Sequence, residues 1–258
     1  LSSSSAASDV YKRQLLISVG KTKSMTVYVP RPGEEPPPKP IIYIGDQRIE
    51  HVNKFKYLGQ IISSDGKLKG EISRRIGQAY AAFRSLERRG IWKDKTISRR
   101  TKITIYKVTV LTILLYCSET WSVGPDDVKK LETAQMMCLR RICGDRSWGR
   151  DSTPYAVIRK KCQTPTIQNL ITYHRLRWLG KVSRMQEDRL PIRMLFGRFA
   201  GQLPRGRPTK TWLEYVKDDL QHLSEMHSTQ GMFINWWRLC KDEKEWTNII
   251  KKVVEMHT

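Results

Sequence analysis

The 258-residue sequence is short of acidic side chains: 25 Asp and Glu stand against 47 Lys and Arg, a formal charge of +22. That balance excludes an ordinary acidic cytosolic enzyme as the default. Paired cysteine motifs are missing too. The five cysteines, at 117, 138, 143, 162 and 240, are odd in number and form no CxxC. Neither a disulfide framework nor a zinc ribbon is indicated, and a reducing compartment fits best. The strongest apolar run, Ile103 to Cys117, stops short of the roughly 20 residues a membrane span needs and contains Lys107, so it reads as a buried core helix. No GxxxxGKS/T or GxGxxG string occurs, which removes glycine-rich phosphate loops. The opening, Leu1 to Gln14, lacks an initiator Met and the apolar core of a signal peptide. It reads as an adaptor-like tail on a chain that starts mid-frame.

Against these absences stands enough apolar mass for a core in one or two domains: 39% hydrophobic residues, with eight Trp among the aromatics. The charge is concentrated. Residues 67–102 hold twelve basic side chains against three acidic, and residues 159–210 hold thirteen against two. Solubility calls for mixed signs, so such segments point to a polyanion partner rather than to solvated helix faces alone.

Alternation in Leu15–Val29 suggests a strand, ended by the proline-rich connector Pro30–Pro40. Ile41–Val52 predicts two short strands about Gly45-Asp46, and Phe55–Ile62 a third apolar piece, together a small antiparallel unit. After Gly66 the hydrophobic period becomes helical. Ile72, Ile76, Ala79, Phe83 and Leu86 share one side of a wheel, leaving Arg74, Arg75, Arg84, Arg88 and Arg89 on the other. Ile103–Trp121 predicts a central helix. Gly124-Pro125-Asp126-Asp127 starts another, with Val128, Leu131, Gln135, Cys138 and Ile142 inward until Gly144. Trp148–Pro165 reads as irregular. Ile167–Met185 predicts a helix with Ile171, Trp178, Val182 and Met185 inward and a stripe of His174, Arg177, Lys181 and Arg184. Helices at Arg189–Phe199, after a Thr211 cap, and at Ile234–Val254 complete the expectation. The fold class expected is α+β, mainly α.

Catalytic constellations are scarce. Asp126-Asp127 and Asp218-Asp219 are the adjacent aspartates, and both fall on predicted helices, where capping or solvated surface outweighs a two-metal site. His and Cys show no zinc-knuckle spacing, and Cys117, Cys138 and Cys143 read as small core filler. Pro204-Arg205-Gly206-Arg207-Pro208 matches an AT-hook core, a short pattern that is frequent by chance in basic loops.

Six ordered motifs nevertheless carry a resemblance: KTKSM (Lys21–Met25), FKYLGQIISSDG (Phe55–Gly66), EISRRIGQAYAAF (Glu71–Phe83), LLYCSETW (Leu114–Trp121), RLRWLGKVSRM (Arg175–Met185) and RGRPTKTW (Arg205–Trp212). In this order they resemble the C-terminal part of non-LTR retrotransposon endonuclease-reverse transcriptases. After the adaptor-like tail at 1–14, the resemblance implies the end of the polymerase palm at 15–66, a thumb-like bundle at 67–147 and a basic helical region at 148–258. It implies that Lys21, with Lys23 as rival, is the lysine that protonates departing pyrophosphate; Ser18 replaces the usual Asn beside it. It implies that Tyr57, Leu58 and Gly59 belong to a primer-grip hairpin, for which plain hairpin packing is the alternative.

The arginine face of the thumb-like helix would hold phosphates, as would Arg177, Lys181, Arg184, Arg205, Arg207 and Lys210, fixing a duplex without reading its sequence. Lys181 stands where the family often has His. The expected partners are an RNA template and a DNA primer or target DNA, with no membrane and no small-molecule substrate. The setting would be an intracellular ribonucleoprotein of nucleus and cytoplasm. Magnesium is expected for the parent enzyme, whose palm aspartates lie upstream of the lysine segment. The present chain, with no cofactor of its own, is expected to be polymerase-incompetent alone. A host-adopted DNA- or RNA-binding module, and a non-functional relic of a transposable element, are the alternatives.

Overall fold

The computed structural model describes residues 17–27, 37–145, 152–197, 210–226 and 232–255. The chain divides into two compact units, Leu1–Lys67 and Leu68–Thr258. The architecture is α+β and mainly helical.

The first unit is built from two-stranded pairs. β1 (Lys23–Ser24) runs parallel to β4 (Glu50–His51), whereas β2 (Tyr43–Ile44) with β3 (Gln47–Arg48), and β5 (Lys54–Tyr57) with β6 (Gln60–Ser63), are antiparallel hairpins. The parallel pair adds β1, which lies outside the antiparallel unit expected over residues 41–62. It follows from the long return between β1 and β4, which lets Lys23 meet Glu50 at 2.5 Å and Ser24 Oγ approach His51 Nδ1 at 3.2 Å. The β5–β6 turn is two residues long, Leu58 and Gly59, with φ of +46° and +84°. Both values are positive, the condition for the tight turn that matches strand twist. Ile49 is the one buried residue among those described here, so this unit has little core of its own.

In the second unit α1 (Lys69–Arg88) buries Ile72, Ala79 and Phe83. Trp92 stacks on Phe83 at 4.8 Å between ring centroids and donates its indole N–H to the Phe83 carbonyl at 3.1 Å. α2 (Arg99–Tyr106) is capped by Ser98, whose hydroxyl accepts from the Thr101 N–H. It passes through a π-helical turn, Lys107–Leu111, into a short α3 (Thr112–Leu114). The continuous helix expected over Ile103–Trp121 therefore ends early. The Thr109 and Thr112 hydroxyls bond carbonyls of the preceding turn at 2.6 and 2.7 Å, Cys117 is left-handed, and a 3-10 turn covers Ser118–Thr120. Such back-bonding competes with the regular ladder.

α4 (Pro125–Cys143) keeps the bounds its sequence predicts: Pro125 opens it and Gly144, at φ +68°, closes it, with the Asp145 N–H returning to the Arg140 carbonyl. α5 (Tyr155–Cys162) occupies a stretch that reads as irregular. It is short, and its two buried residues, Ile158 and Cys162, are too few to show a period.

α6 (Ile167–Ser183) joins two cores. Its Ile167 and Ile171 pack with Tyr106, Trp121, Leu131 and Leu139, while Leu176 and Leu179 pack with Val216, Leu220, Trp246 and Ile250. α7 (Leu190–Phe196) follows. α8 (Trp212–Met226) begins with a reciprocal cap in which Glu214 accepts from the Thr211 N–H at 2.6 Å and the Glu214 N–H reaches the Thr211 hydroxyl at 3.3 Å. The last predicted helix is split into α9 (Met232–Leu239) and α10 (Glu243–Glu255), because the Asp242 carboxylate accepts from the Lys244 and Glu245 N–H groups and starts a new helix. Trp246 fills the second core, and a Cβ on Gly180 would lie 2.4 Å from its ring. Glycine is what lets α6 approach so closely.

Candidate nucleic-acid interface

Glu71, 1% exposed, decides what becomes of the first arginine pair. It accepts from Arg75 Nε at 2.6 Å and from Arg74 at 2.7 Å, and the Arg75 guanidinium also lies 4.3 Å from the centre of the Tyr116 ring. Arg75 is buried, which corrects its expected place on a phosphate-facing surface. On the wheel it sits only about 60° from the centre of the apolar stripe, so its head group is drawn under the neighbouring segment. Arg84, Arg88 and Arg89 are exposed, and their side chains make no hydrogen bond or ion pair with the described residues.

Beyond α1 the basic segment continues into a cleft of about 620 Å³, lined by Lys93, Arg99, Lys102 and Arg141 together with Glu87 and Asp145. Arg141 reaches across from α4 and holds both Glu87 oxygens, at 2.9 and 2.8 Å. Lys102 is buried and donates to the Trp92 carbonyl at 3.0 Å. Lys93 and Arg99 are exposed. Neither belongs to the arginine face of α1, and the charge balance of residues 67–102 is their sequence signal.

The α6 stripe lines a second cleft, of about 640 Å³, where His174, Arg177, Lys181 and Arg184 meet Glu119 and Glu243. His174 Nδ1 lies 2.6 Å from the Ser118 hydroxyl; burial lowers the imidazole pKa from its ordinary value, and Glu119 opposes that shift. Arg184 is partly committed, donating to the Cys240 carbonyl at 2.9 Å and lying 3.6 Å from Glu243. Arg177 and Lys181 are exposed, with the Lys181 ammonium 5.7 Å from the centre of the half-buried Trp178 ring. Trp178 thus lines the cleft, while Leu176 and Leu179 take the deepest inward positions.

The RLRW arginine Arg175 is 1% exposed and bonds Asp219 at 2.5 Å, beside the Thr172 hydroxyl that donates to the same carboxylate at 2.7 Å. Asp219 is therefore not the solvated residue its helix position suggests. Burial raises its pKa, and Arg175 pulls against that shift. Lys210 pairs with Asp218 and stands 4.8 Å from the Tyr215 ring centre. Arg205 and Arg207 lie outside the described residues.

In the first unit Lys21 is exposed at a turn in which the Lys21 and Thr22 N–H groups donate to the Ser18 carbonyl, whereas Lys23 is tied to Glu50. Tyr57 and Leu58 are exposed at the β5–β6 turn with Gly59. Among the described residues no group of three or more His, Cys, Asp or Glu side chains could hold a metal ion, and no helix is long and apolar enough to cross a membrane.

No family model matches the chain, and no solved structure matches it. It is 24% identical, over an alignment of 257 positions, to a Caenorhabditis elegans protein named as transposon-derived, with 92% of this chain and 83% of that protein covered. This similarity supports a transposable-element origin.

Proposed function

We propose that the chain binds the sugar-phosphate backbone of nucleic acid as the thumb-like and C-terminal basic part of a non-LTR retrotransposon reverse transcriptase. The observation that carries this reading is a group of exposed guanidinium groups with no acidic partner among the described residues, Arg84, Arg88 and Arg89 on α1 and Arg177 on α6. Exposed guanidinium groups offer phosphates forked, charge-assisted donors. Contacts of this kind hold a duplex in place and carry no sequence information. The β5–β6 turn would meet the primer end, and Lys21 would serve the nucleotidyl-transfer site of the parent polymerase.

Binding of the purified chain to an RNA–DNA duplex, a DNA duplex and a single strand, each with scrambled sequences, tests the proposal. Affinity that depends on charge density and not on sequence supports it. Preference for AT-rich duplex that vanishes in Arg205→Ala and Arg207→Ala would favour minor-groove readout instead. The transposon-derived name of the C. elegans relative favours one second reading, a binding module or relic left by such an element.

A further inference from the structure

Two of the five thiols meet. Cys143 is the last residue of α4 and Cys162 the last of α5, and each is followed by a left-handed residue, Gly144 at φ +68° and Gln163 at φ +45°. These turns bring the two sulfurs to 3.1 Å. A disulfide requires about 2.05 Å, so closure asks for an approach of roughly 1 Å, within reach of small side-chain rotations.

We infer that Cys143 and Cys162 are a modification site, a dithiol that a hydroperoxide oxidises to a disulfide tying the end of α4 to the end of α5. The two sulfurs have different access. Cys162 is buried, whereas Cys143 is half-buried and lines the cationic cleft with Lys93, Arg99 and Arg141. The hydrogen bond between the two sulfurs, helped by the positive charge of Arg99 and Lys161, holds Cys143 below the usual thiol range, while that bond and burial hold Cys162 above it. The remaining thiols differ: burial pushes Cys138 and Cys240 up to about 12, and raises Cys117. Cys143 is thus the nucleophile and Cys162 the resolving thiol.

The Cys143 thiolate attacks the terminal oxygen of the hydroperoxide. An S–O bond forms, the O–O bond breaks, and the alkoxide leaves as alcohol with the proton that Cys143 gave up. Cys162 sulfur then attacks the sulfenic sulfur, the S–O bond breaks, and water leaves with the Cys162 proton. Two thiols are oxidised by two electrons in all and one peroxide is reduced to alcohol and water.

The test treats the full chain with hydrogen peroxide and follows intact mass, thiol count and a non-reducing peptide map. The expected result is loss of two hydrogens, three remaining thiols of the five, one Cys143–Cys162 crosslink, and full reversal by a dithiol reductant. Cys162→Ser should stop at a Cys143 sulfenic acid that dimedone traps, and Cys143→Ser should leave Cys162 reduced. Five intact thiols under peroxide that oxidises a free-cysteine peptide, a crosslink through Cys117, Cys138 or Cys240, or equal thiol loss in Cys143→Ser and the unmodified chain would each overturn the inference. The map of the unmodified chain decides the matter even if a variant fails to fold.

Discussion

Along α1 the guanidinium groups that reach solvent, Arg84, Arg88 and Arg89, stand without acidic partners among the described residues, whereas along α6 Arg175 is sealed against Asp219 and Arg184 is held by the Cys240 carbonyl beside Glu243. Both helices come from strongly basic segments, yet they spend their charge differently. On α6 a buried guanidinium joins α6 to α8 and to the Trp121 carbonyl, 3.3 Å away, and the exposed cations Arg177 and Lys181 sit outside it. On α1 only Arg74 and Arg75 are drawn in, by Glu71. Density of basic residues in a segment therefore overstates the charge available to a partner.

The comparison breaks most sharply where α6 is structural. Asp219→Ala should cost about 3–5 kcal/mol, because it strands the buried Arg175 charge, and a urea unfolding curve measures that loss. Arg177→Gln, which removes an exposed guanidinium with no acidic partner among the described residues, should change stability by no more than about 0.5 kcal/mol in the same assay. Gly180→Ala, which drives a methyl group into the Trp246 ring, should cost roughly 1–3 kcal/mol, again by unfolding.

Much of this architecture was legible because local signals and packing agree. Pro125 and Gly144 bound α4, and Thr211 with Glu214 opens α8, since caps act within one turn. What sequence could not show depends on partners distant along the chain. Tyr116, far along the chain, stacks over the buried Arg75, and Asp219 is buried against Arg175. The Cys143 thiol reads as filler until Cys162 is brought beside it. The exposed part of the candidate site, Arg84, Arg88 and Arg89, followed directly from helical spacing.

A smaller effect separates the clefts by pH. Burial lowers the His174 pKa below its unfolded value of 6.5. Above that value neither state is protonated and nothing changes; as pH falls through it the unfolded chain takes up a proton that the folded chain resists, so stability declines. Unfolding curves across this window should show the decline, and His174→Gln should reduce it.

Salt dependence tests the central claim most directly. If Arg84, Arg88, Arg89, Arg177 and Lys181 each neutralise a phosphate, log affinity against log salt should have a slope of about −4.5, a loss of roughly 500-fold between about 50 and 200 mM salt. Replacing Arg84, Arg88 and Arg89 by Gln should flatten that slope by about 2.7 while the fold survives. Affinity unchanged across the salt range, or a triple variant with the slope of the unmodified chain, would contradict the account.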